Sequence, residues 1–190
     1  MNDNGEKWPL WKSCLFVVAV CAAFWTAGYF AIREAMRQPP GQIVSAGPAA
    51  RDFCNRTPAE CEVTRPSVIP ATSRRRIEDI AFDVREGIRQ KPESDGADFW
   101  QIATTYGDCE DIALATIQAL VRAGYPRGAL SVGVVFMWNL KQHAVVFVNF
   151  SDGVWQIDLF YPHSEPWSES SYYLIRRQSW GNPTQWEASL

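Results

Sequence analysis

The chain has 190 residues, of which 47% are hydrophobic and 21% are charged, proportions typical of a globular protein rather than a disordered or fibrous one. Its formal net charge of −3 argues against a nucleic-acid-binding surface, which needs clustered positive charge. There are five cysteines but only two histidines, so a reaction that uses an imidazole has few candidate residues.

The N-terminal part of the sequence predicts a membrane segment. Residues 13–32 contain no charged side chain and follow a short segment, residues 1–12. A helix of this length can cross the roughly 30 Å hydrocarbon core of a bilayer. We therefore predict one N-terminal transmembrane helix, with residues 1–12 in the cytoplasm and the rest of the chain exported. A signal peptide cleaved near Cys21–Ala23 is the alternative, and it would release the exported part from the membrane.

A linker and a pair of cysteines follow this segment. Residues 33–50 are rich in proline, glycine and alanine towards their end, and are predicted to connect the membrane segment to one domain, residues 51–190. Cys54 and Cys61 are separated by six residues that include a proline. In an oxidising compartment such a pair can close a small loop, so we predict a disulfide. Two independent thiols are the alternative.

The domain is predicted to contain two helices followed by strands. Apolar residues recur at helical spacing over residues 73–90, with Ser73 as a suitable cap. A second helix begins after Asp108, a residue type that favours the N-cap position, and ends before Gly124. Strand-like patterns then occur at Ala129–Trp138, His143–Phe150, Val154–Phe160 and Leu174–Ile175.

The candidate chemistry involves three residues. Cys109 lies in GDCED at the predicted first turn of the second helix, where the helix dipole favours a thiolate and the neighbouring carboxylates oppose it. His143 begins one strand and Asp158 lies on the next. In a Cys-His-Asp triad the imidazole takes the thiol proton and the carboxylate orients the imidazole. A buried, inert cysteine is the alternative.

This triad depends on the register of the hairpin that joins the two strands. A four-residue loop, residues 149–152, pairs His143 directly with Asp158, whereas a tight turn at Asp152-Gly153 displaces Asp158 by about 13 Å. We therefore expect the longer loop. The other histidine, His163, is expected in a solvated loop.

Five segments carry a resemblance to a known family: FCNRTPAEC, Trp100 shortly before GDCED, HAVV, ID, and RRQS before NPTQW. They are similar to motifs of the bacterial transglutaminase-like cysteine peptidases, and the resemblance covers residues 50–187. It implies an α+β fold with a papain-like/transglutaminase-like core, in which the nucleophile-bearing helix packs on an antiparallel sheet. It also implies that Cys109 is the nucleophile, His143 the general base and Asp158 the residue that orients the histidine.

The expected function is that of a membrane-anchored cysteine peptidase whose catalytic domain faces the periplasm. It would hydrolyse peptide or amide bonds through a thioester, with the backbone amide of Cys109 and a donor from Trp100 or Gln101 binding the oxyanion. A catalytically inactive or transamidating relative that binds peptides or a partner at the cell envelope is the alternative. The expected partners are a peptide or protein substrate, the membrane through residues 13–32 and, by family resemblance only, a regulatory membrane receptor.

The sequence requires no cofactor, but calcium is a candidate. Three carboxylates lie within four residues, at Asp108, Glu110 and Asp111, and calcium prefers oxygen ligands. Consecutive helix positions face different directions, so the three side chains cannot all bind one ion. By resemblance to a calcium-dependent branch of the family, Asp111 is the best single candidate; capping of the helix is the alternative, which we favour.

Overall fold

A computed structural model describes residues 41–93, 98–160 and 163–188, together with Trp25, Thr26 and Gly28. Within that part of the chain, none of the helices combines the length and the apolar character needed to cross a membrane. The predicted membrane segment, residues 13–32, lies outside the described residues apart from those three positions. The chain divides into two units, Met1–Gln38 and Pro39–Leu190, and all the elements given below belong to the second.

An antiparallel sheet of seven strands forms the centre of this unit. The strands are β1 Gln42–Val44, β4 Leu130–Phe136, β5 Gln142–Phe150, β6 Gly153–Asp158, β7 His163–Pro166, β8 Tyr173–Ser179 and β9 Asn182–Ala188. Their order in the sheet is β1-β9-β8-β4-β5-β6-β7. Two further strands of two residues each, β2 Arg89–Gln90 and β3 Tyr106–Gly107, form a separate parallel pair.

Three α-helices accompany the sheet: α1 Pro48–Arg56, α2 Arg74–Gly87 and α3 Cys109–Arg122. Helix α3 packs against α2 on one side and against β5 and β4 on the other, which explains why its apolar residues are buried almost all round. Alternate residues of β4 and β5 belong to two apolar clusters, one shared with α3 and one that includes Tyr172 and Leu174. Both faces of the central strands are therefore covered, and the structure is of the predicted α+β class with a large antiparallel sheet.

The predicted secondary structure is largely found, except near the start of the domain. The second helix and the strands β4, β5 and β6 begin and end within two residues of their predicted bounds. By contrast, residues 42–50, which the sequence suggested as linker, contain β1 and the first turn of α1. Strand β1 pairs with β9, and Ala49 and Ala50 are buried in the main apolar cluster. Pro48 begins α1, a position where proline costs no helical hydrogen bond.

The predicted disulfide is confirmed. Cys54, in α1, is bonded to Cys61 at the end of the short 3-10 segment Pro58–Cys61, with a Cα–Cα distance of 5.5 Å. The bond joins the end of α1 to the segment that follows it. Because Cys61 is buried in the main apolar cluster, the crosslink fixes this segment against the core.

The predicted register of the hairpin between β5 and β6 is wrong. Phe150 pairs with Gly153, so the loop has two residues rather than four, and Gly153 has φ +133°, a conformation that glycine adopts without strain. The pairs continue to Val146 with Ile157, which places His143 and Asp158 two positions away from direct pairing. Because side chains alternate with a period of two, a shift of two keeps both residues on the same face of the sheet. The triad therefore does not need the longer loop.

The position of His163 also differs from expectation. Its backbone lies at the start of β7, paired with Asp158, rather than in a loop. The Tyr-Pro dipeptide before it favours a turn, so the local sequence pattern did not indicate the short strand that follows.

Candidate active site

Cys109 is the first residue of α3, directly after the N-cap residue Asp108. Its thiol is half-buried and donates a hydrogen bond to Glu110 Oε2 at 3.1 Å. Burial raises the pKa of the Cys109 thiol well above its ordinary value, and the charge of Glu110 and the hydrogen bond to it raise that pKa further; the backbone of Ala144 lowers it. Burial and Glu110 thus disfavour the thiolate, and a base must remove the thiol proton before the sulfur acts as a nucleophile.

His143 and Asp158 form a buried pair. His143 Nε2 lies 2.9 Å from Asp158 Oδ1, and the two residues are 4% and 0% exposed. Because an ionised carboxylate only accepts hydrogen bonds, the shared proton belongs on Nε2, which leaves Nδ1 to accept another proton. The diagonal placement on neighbouring strands brings these side chains together, since diagonal neighbours on one face are within reach of long side chains.

Further groups hold the pair in place. The Phe160 backbone N–H donates to Asp158 Oδ1 at 2.8 Å, and the Tyr172 hydroxyl donates to Asp158 Oδ2 at 2.7 Å. The rings of Phe160 and Tyr172 make edge contacts with the His143 ring, at centroid distances of 5.6 and 6.3 Å. Both the carboxylate and the imidazole are thus restrained in position and in orientation.

Cys109 and His143 open onto the same cavity, which has a volume of about 230 Å³. Its walls are formed by Asp98, Trp100, Cys109, Glu110, Val134, Gln142, His143, Ala144 and Arg176. Among the described residues, the hydrogen bond of the thiol goes to Glu110 and that of the imidazole to Asp158, so no hydrogen bond joins Cys109 to His143. A substrate group entering this cavity would meet the thiol and the imidazole together.

The two predicted oxyanion donors lie in different places. Trp100 lines the cavity beside Cys109, and its indole N–H donates to Asp98 Oδ1 at 2.9 Å. Gln101 lines a second cavity of about 470 Å³ together with Asp111. Both of its N–H groups donate to Asp111, from the backbone at 2.8 Å and from Nε2 at 3.3 Å. The structure therefore brings Trp100 near the thiol, whereas Gln101 holds Asp111.

The carboxylates around Cys109 carry raised pKa values. Burial raises the pKa of Asp111 to about 6 and that of Glu110 to about 7, and it also raises the pKa of Asp108. Nearby like charges add to each shift, including that of Glu93 on Asp108 and Asp111. Such raised values mean that these groups bind protons more readily than usual, because their negative charges lie close together in a partly buried site.

The predicted capping role of Asp108 is not found. Its carboxylate lies near the Asp111 amide, which lowers the Asp108 pKa, but makes no capping hydrogen bond of normal geometry. Asp108 Oδ1 is buried and has no hydrogen-bond partner among the described residues. Within the same part of the chain, no group of three or more His, Cys, Asp or Glu side chains is arranged to hold a metal ion. Carboxylate oxygens such as those of Asp108 and Asp111 are the ligands that calcium prefers, but the described side chains are not arranged as a complete calcium site.

Two residues of the site were missed in the sequence. Tyr172 belongs to a loop whose pattern gives no sign of a contact with Asp158, 14 positions away. Arg176 lies in RRQS, a segment that contributed to the family resemblance but had no assigned role. Only the sheet topology, which places β8 beside β4, brings Arg176 to the cavity.

Comparison with known proteins identifies relatives of the chain. The family model of the bacterial transglutaminase-like cysteine proteinases (BTLCP) matches residues 41–189. Among solved structures, Legionella pneumophila LapG is 16% identical with a TM-score of 0.47, over 55% of this chain and 64% of that chain. EGTA-treated LapG from this organism has the same identity and TM-score and is covered over 62% of its length, so this chain spans less than two thirds of either.

Calcium-bound LapG from the same organism is 18% identical with a TM-score of 0.49, over 62% of this chain and 73% of that chain. No curated protein matches. Because the family model covers most of the chain, including every residue of the site described above, the protein belongs to the bacterial transglutaminase-like cysteine peptidases.

Proposed function

We propose that the protein is a cysteine peptidase that hydrolyses peptide or amide bonds of a protein substrate through the triad Cys109–His143–Asp158. The observation that carries this proposal is the buried hydrogen bond between His143 and Asp158 at the wall of the cavity that also contains the Cys109 thiol. Membership of a peptidase family supports the same reaction class.

The proposed reaction begins with transfer of the thiol proton from Cys109 to His143 Nδ1. The sulfur attacks the carbonyl carbon of the substrate, and the backbone amide at the start of α3 donates to the oxyanion, with Trp100, which lines the same cavity, as the proposed second donor. His143 then gives its proton to the leaving amine, and a thioester with Cys109 remains. Water, deprotonated by His143, attacks the thioester, and the acid product and the thiol are released. Asp158 stabilises the imidazolium in both steps.

Glu110 must release the thiol during this sequence. Its carboxylate accepts the thiol hydrogen bond in the resting structure, and its charge opposes formation of a second anion beside it. Proton transfer to His143 is therefore favoured only when the thiol turns away from Glu110.

The test measures how fast a thiol-directed electrophile modifies Cys109, identified by mass spectrometry. Wild type is expected to react rapidly, and His143→Ala to react slowly because the general base is lost. His163→Ala is the matched control, since it removes the other histidine, and it should react like wild type. The proposal fails if Cys109 reacts no faster than an unactivated thiol, or if His143→Ala reacts like wild type. Proteomics of peptides released by wild type but not by Cys109→Ala would then identify the substrate.

The second candidate is a transamidating or inactive relative that binds peptides or a partner at the cell envelope. The observation that favours it is the thiol hydrogen bond to Glu110, which together with burial disfavours the thiolate. Addition of a primary amine during the peptide assay separates the reactions, because transamidation yields an amide of the added amine while hydrolysis yields a free acid. Peptide binding without either product would indicate a binding module.

We propose in addition that residues 13–32 anchor the protein in the inner membrane, with the catalytic domain in the periplasm. The disulfide between Cys54 and Cys61 supports an oxidising compartment. Release into the periplasm after signal cleavage is the alternative, and a regulatory membrane receptor is a proposal that rests on family resemblance. A reporter fused at Leu190 tests the location, and a cytoplasmic signal would overturn it.

Calcium remains a proposed ligand, with Asp111 as its candidate residue. The buried Asp108 oxygen without a partner and the raised pKa values of the neighbouring carboxylates support a cation here. A bound calcium ion would offset these negative charges. Calcium binding would change the hydrogen bonds that Gln101 donates to Asp111, because these bonds occupy the carboxylate oxygens that would ligate the metal.

A further inference from the structure

Arg176 is a cation in the candidate active-site cavity, and it forms no ion pair with the residues that the structure describes. It lies on β8 opposite Val134 of β4, and both line the cavity that contains Cys109 and His143. Among the described residues, its buried Nε has no hydrogen-bond partner, and the guanidinium forms no ion pair with a carboxylate. The next residue, Arg177, is different, because it forms an ion pair with Glu187 at 3.0 Å. An unpaired, partly buried guanidinium is unfavourable, so its presence needs an explanation.

The surroundings hold this guanidinium in place without satisfying its charge. Arg176 Cζ lies 5.6 Å from the centroid of the Trp186 ring, within the range of a cation–π contact. Gly47 lies on another side, where a Cβ atom would come within 2.8 Å of Arg176 Nη2. The Trp186 ring and Gly47, which has no side chain, thus leave room for the guanidinium between them and the cavity.

The acidic residues of the cavity already have partners. Asp98 accepts the indole N–H of Trp100 at 2.9 Å, and Glu110 accepts the thiol of Cys109 at 3.1 Å. Of the ion pairs among the described residues, none joins Asp98 or Glu110 to Arg176. Among the residues described around this cavity, Arg176 is therefore a cation without a carboxylate partner, and it shares the cavity with the proposed nucleophile.

We propose that Arg176 binds a carboxylate of the substrate, so that the protein selects acidic peptides; this inference rests on the proposed peptidase function. A planar guanidinium matches a carboxylate through two parallel hydrogen bonds, and such charge-assisted pairs are among the stronger polar contacts. The carboxylate is that of an Asp or Glu side chain or that of a peptide C-terminus. Arg176 is accordingly a specificity-determining residue, and the chemistry of bond cleavage does not involve it.

The first test does not require peptide cleavage. Iodoacetate and iodoacetamide both alkylate a cysteine by displacement of iodide, but only iodoacetate carries a carboxylate. The ratio of their rates at Cys109 is measured in the full chain by mass spectrometry. In Arg176→Gln this ratio should fall about tenfold, as expected for loss of a charged hydrogen-bonding partner. An unchanged ratio in Arg176→Gln would overturn the proposal, even if the protein proves to be an active peptidase.

Two further variants control this measurement. Arg75→Gln removes a distant arginine whose side chain is 88% exposed, and its ratio should equal that of wild type. Arg176→Lys keeps the charge but not the planar fork, so it should retain part of the preference and remains informative if the glutamine variant does not fold. In folded Arg176→Lys, a ratio below that of wild type supports the paired hydrogen bonds and a wild-type ratio contradicts them. In folded Arg176→Gln, a wild-type ratio contradicts the proposal.

The second test identifies the source of the carboxylate. Binding to Cys109→Ala, which cannot turn over, is compared for three peptides: an amidated peptide containing Glu, the same peptide with Gln, and the Gln peptide with a free C-terminus. Tighter binding of either carboxylate peptide, by about tenfold, supports the proposal and names the source, provided that Arg176→Gln removes the difference. Equal binding of all three peptides overturns it.

Discussion

The hydroxyl of Tyr172 offers a sharp test of how the proposed triad is held. It donates to Asp158 Oδ2 at 2.7 Å, and both residues are buried. Tyr172→Phe removes the hydrogen bond to Asp158 but keeps the ring, its edge contact with His143 and its packing in the smaller apolar cluster. A hydrogen bond to a charged group contributes about 1.5–3 kcal/mol, and we expect the free energy of unfolding to fall by that amount.

The same change should slow the proposed chemistry if Tyr172 positions the carboxylate. Asp158 then keeps its bonds to His143 and Phe160 but has more freedom to rotate, and the imidazole that it orients becomes less well placed. We expect the alkylation rate of Cys109 in folded protein, and kcat for peptide hydrolysis, to fall roughly tenfold with KM little changed.

Chemical denaturation and Cys109 alkylation measure these two effects separately. The matched control is Tyr173→Phe, which removes the same hydroxyl from the adjacent half-buried residue at the start of β8. A loss below about 0.5 kcal/mol in Tyr172→Phe, within the range of ordinary surface changes, would refute the energetic reasoning. A loss of stability with a wild-type alkylation rate would assign Tyr172 a structural role only.

Four more predictions concern the charges and the crosslink. Glu110→Gln should lower the pKa of Cys109 towards its ordinary value and speed alkylation several-fold, because it removes a charge that opposes the thiolate. Burial raises the Glu110 pKa from 4.5 to about 7, so its contribution to stability is present at low pH and is lost as the pH rises through 7; the same variant should flatten that decline in thermal unfolding. Calcium should raise Tm at neutral pH, and Asp111→Asn should abolish the increase. Replacing Cys54 and Cys61 with Ala should lower the unfolding free energy by about 2 kcal/mol, since the bond closes a loop with a sequence separation of 7.

The outcomes that contradict these predictions are equally specific. Alkylation of Glu110→Gln at the wild-type rate would mean that burial alone controls the thiol. A calcium-dependent Tm increase that survives in Asp111→Asn but is lost in Asp83→Asn, a change at an exposed carboxylate of α2, would place the ion elsewhere. An unchanged unfolding free energy without the crosslink would mean that this segment is ordered by packing alone.

Local sequence pattern predicted those parts of the fold whose pattern is long and regular. Helix α3 and strands β4, β5 and β6 have sustained helical or strand periodicity, and their bounds were found within two residues. Strand β1 and the start of α1 were missed because proline, glycine and alanine dominate the segment, while its order comes from pairing with β9. Tertiary contacts, not local propensity, decide the conformation there.

The site was predictable in composition but not in arrangement. The order of Cys109, His143 and Asp158 along the chain, together with the neighbouring motifs, was sufficient to propose the triad. The register was not, because residues 149–153 contain several turn-prone residues and each possible turn implies a different pairing. The role of Tyr172 depends on its hydrogen bond to Asp158, and that of Arg176 on its lack of a hydrogen-bond partner for Nε among the described residues. Neither can be derived from the sequence, because both depend on contacts between residues that are distant along the chain.

The two-residue loop between β5 and β6 makes the candidate site sensitive to whether a change in hairpin length is odd or even. If the turn keeps two residues, adding or deleting one residue of β6 would turn its side chains to the opposite face, unless a bulge absorbed the change, and would carry Asp158 away from His143. A change of two residues would slide Asp158 along the same face, where a diagonal contact can still form. Hairpin lengths that differ by even numbers are therefore the ones along which relatives of this protein can diverge and retain the pair.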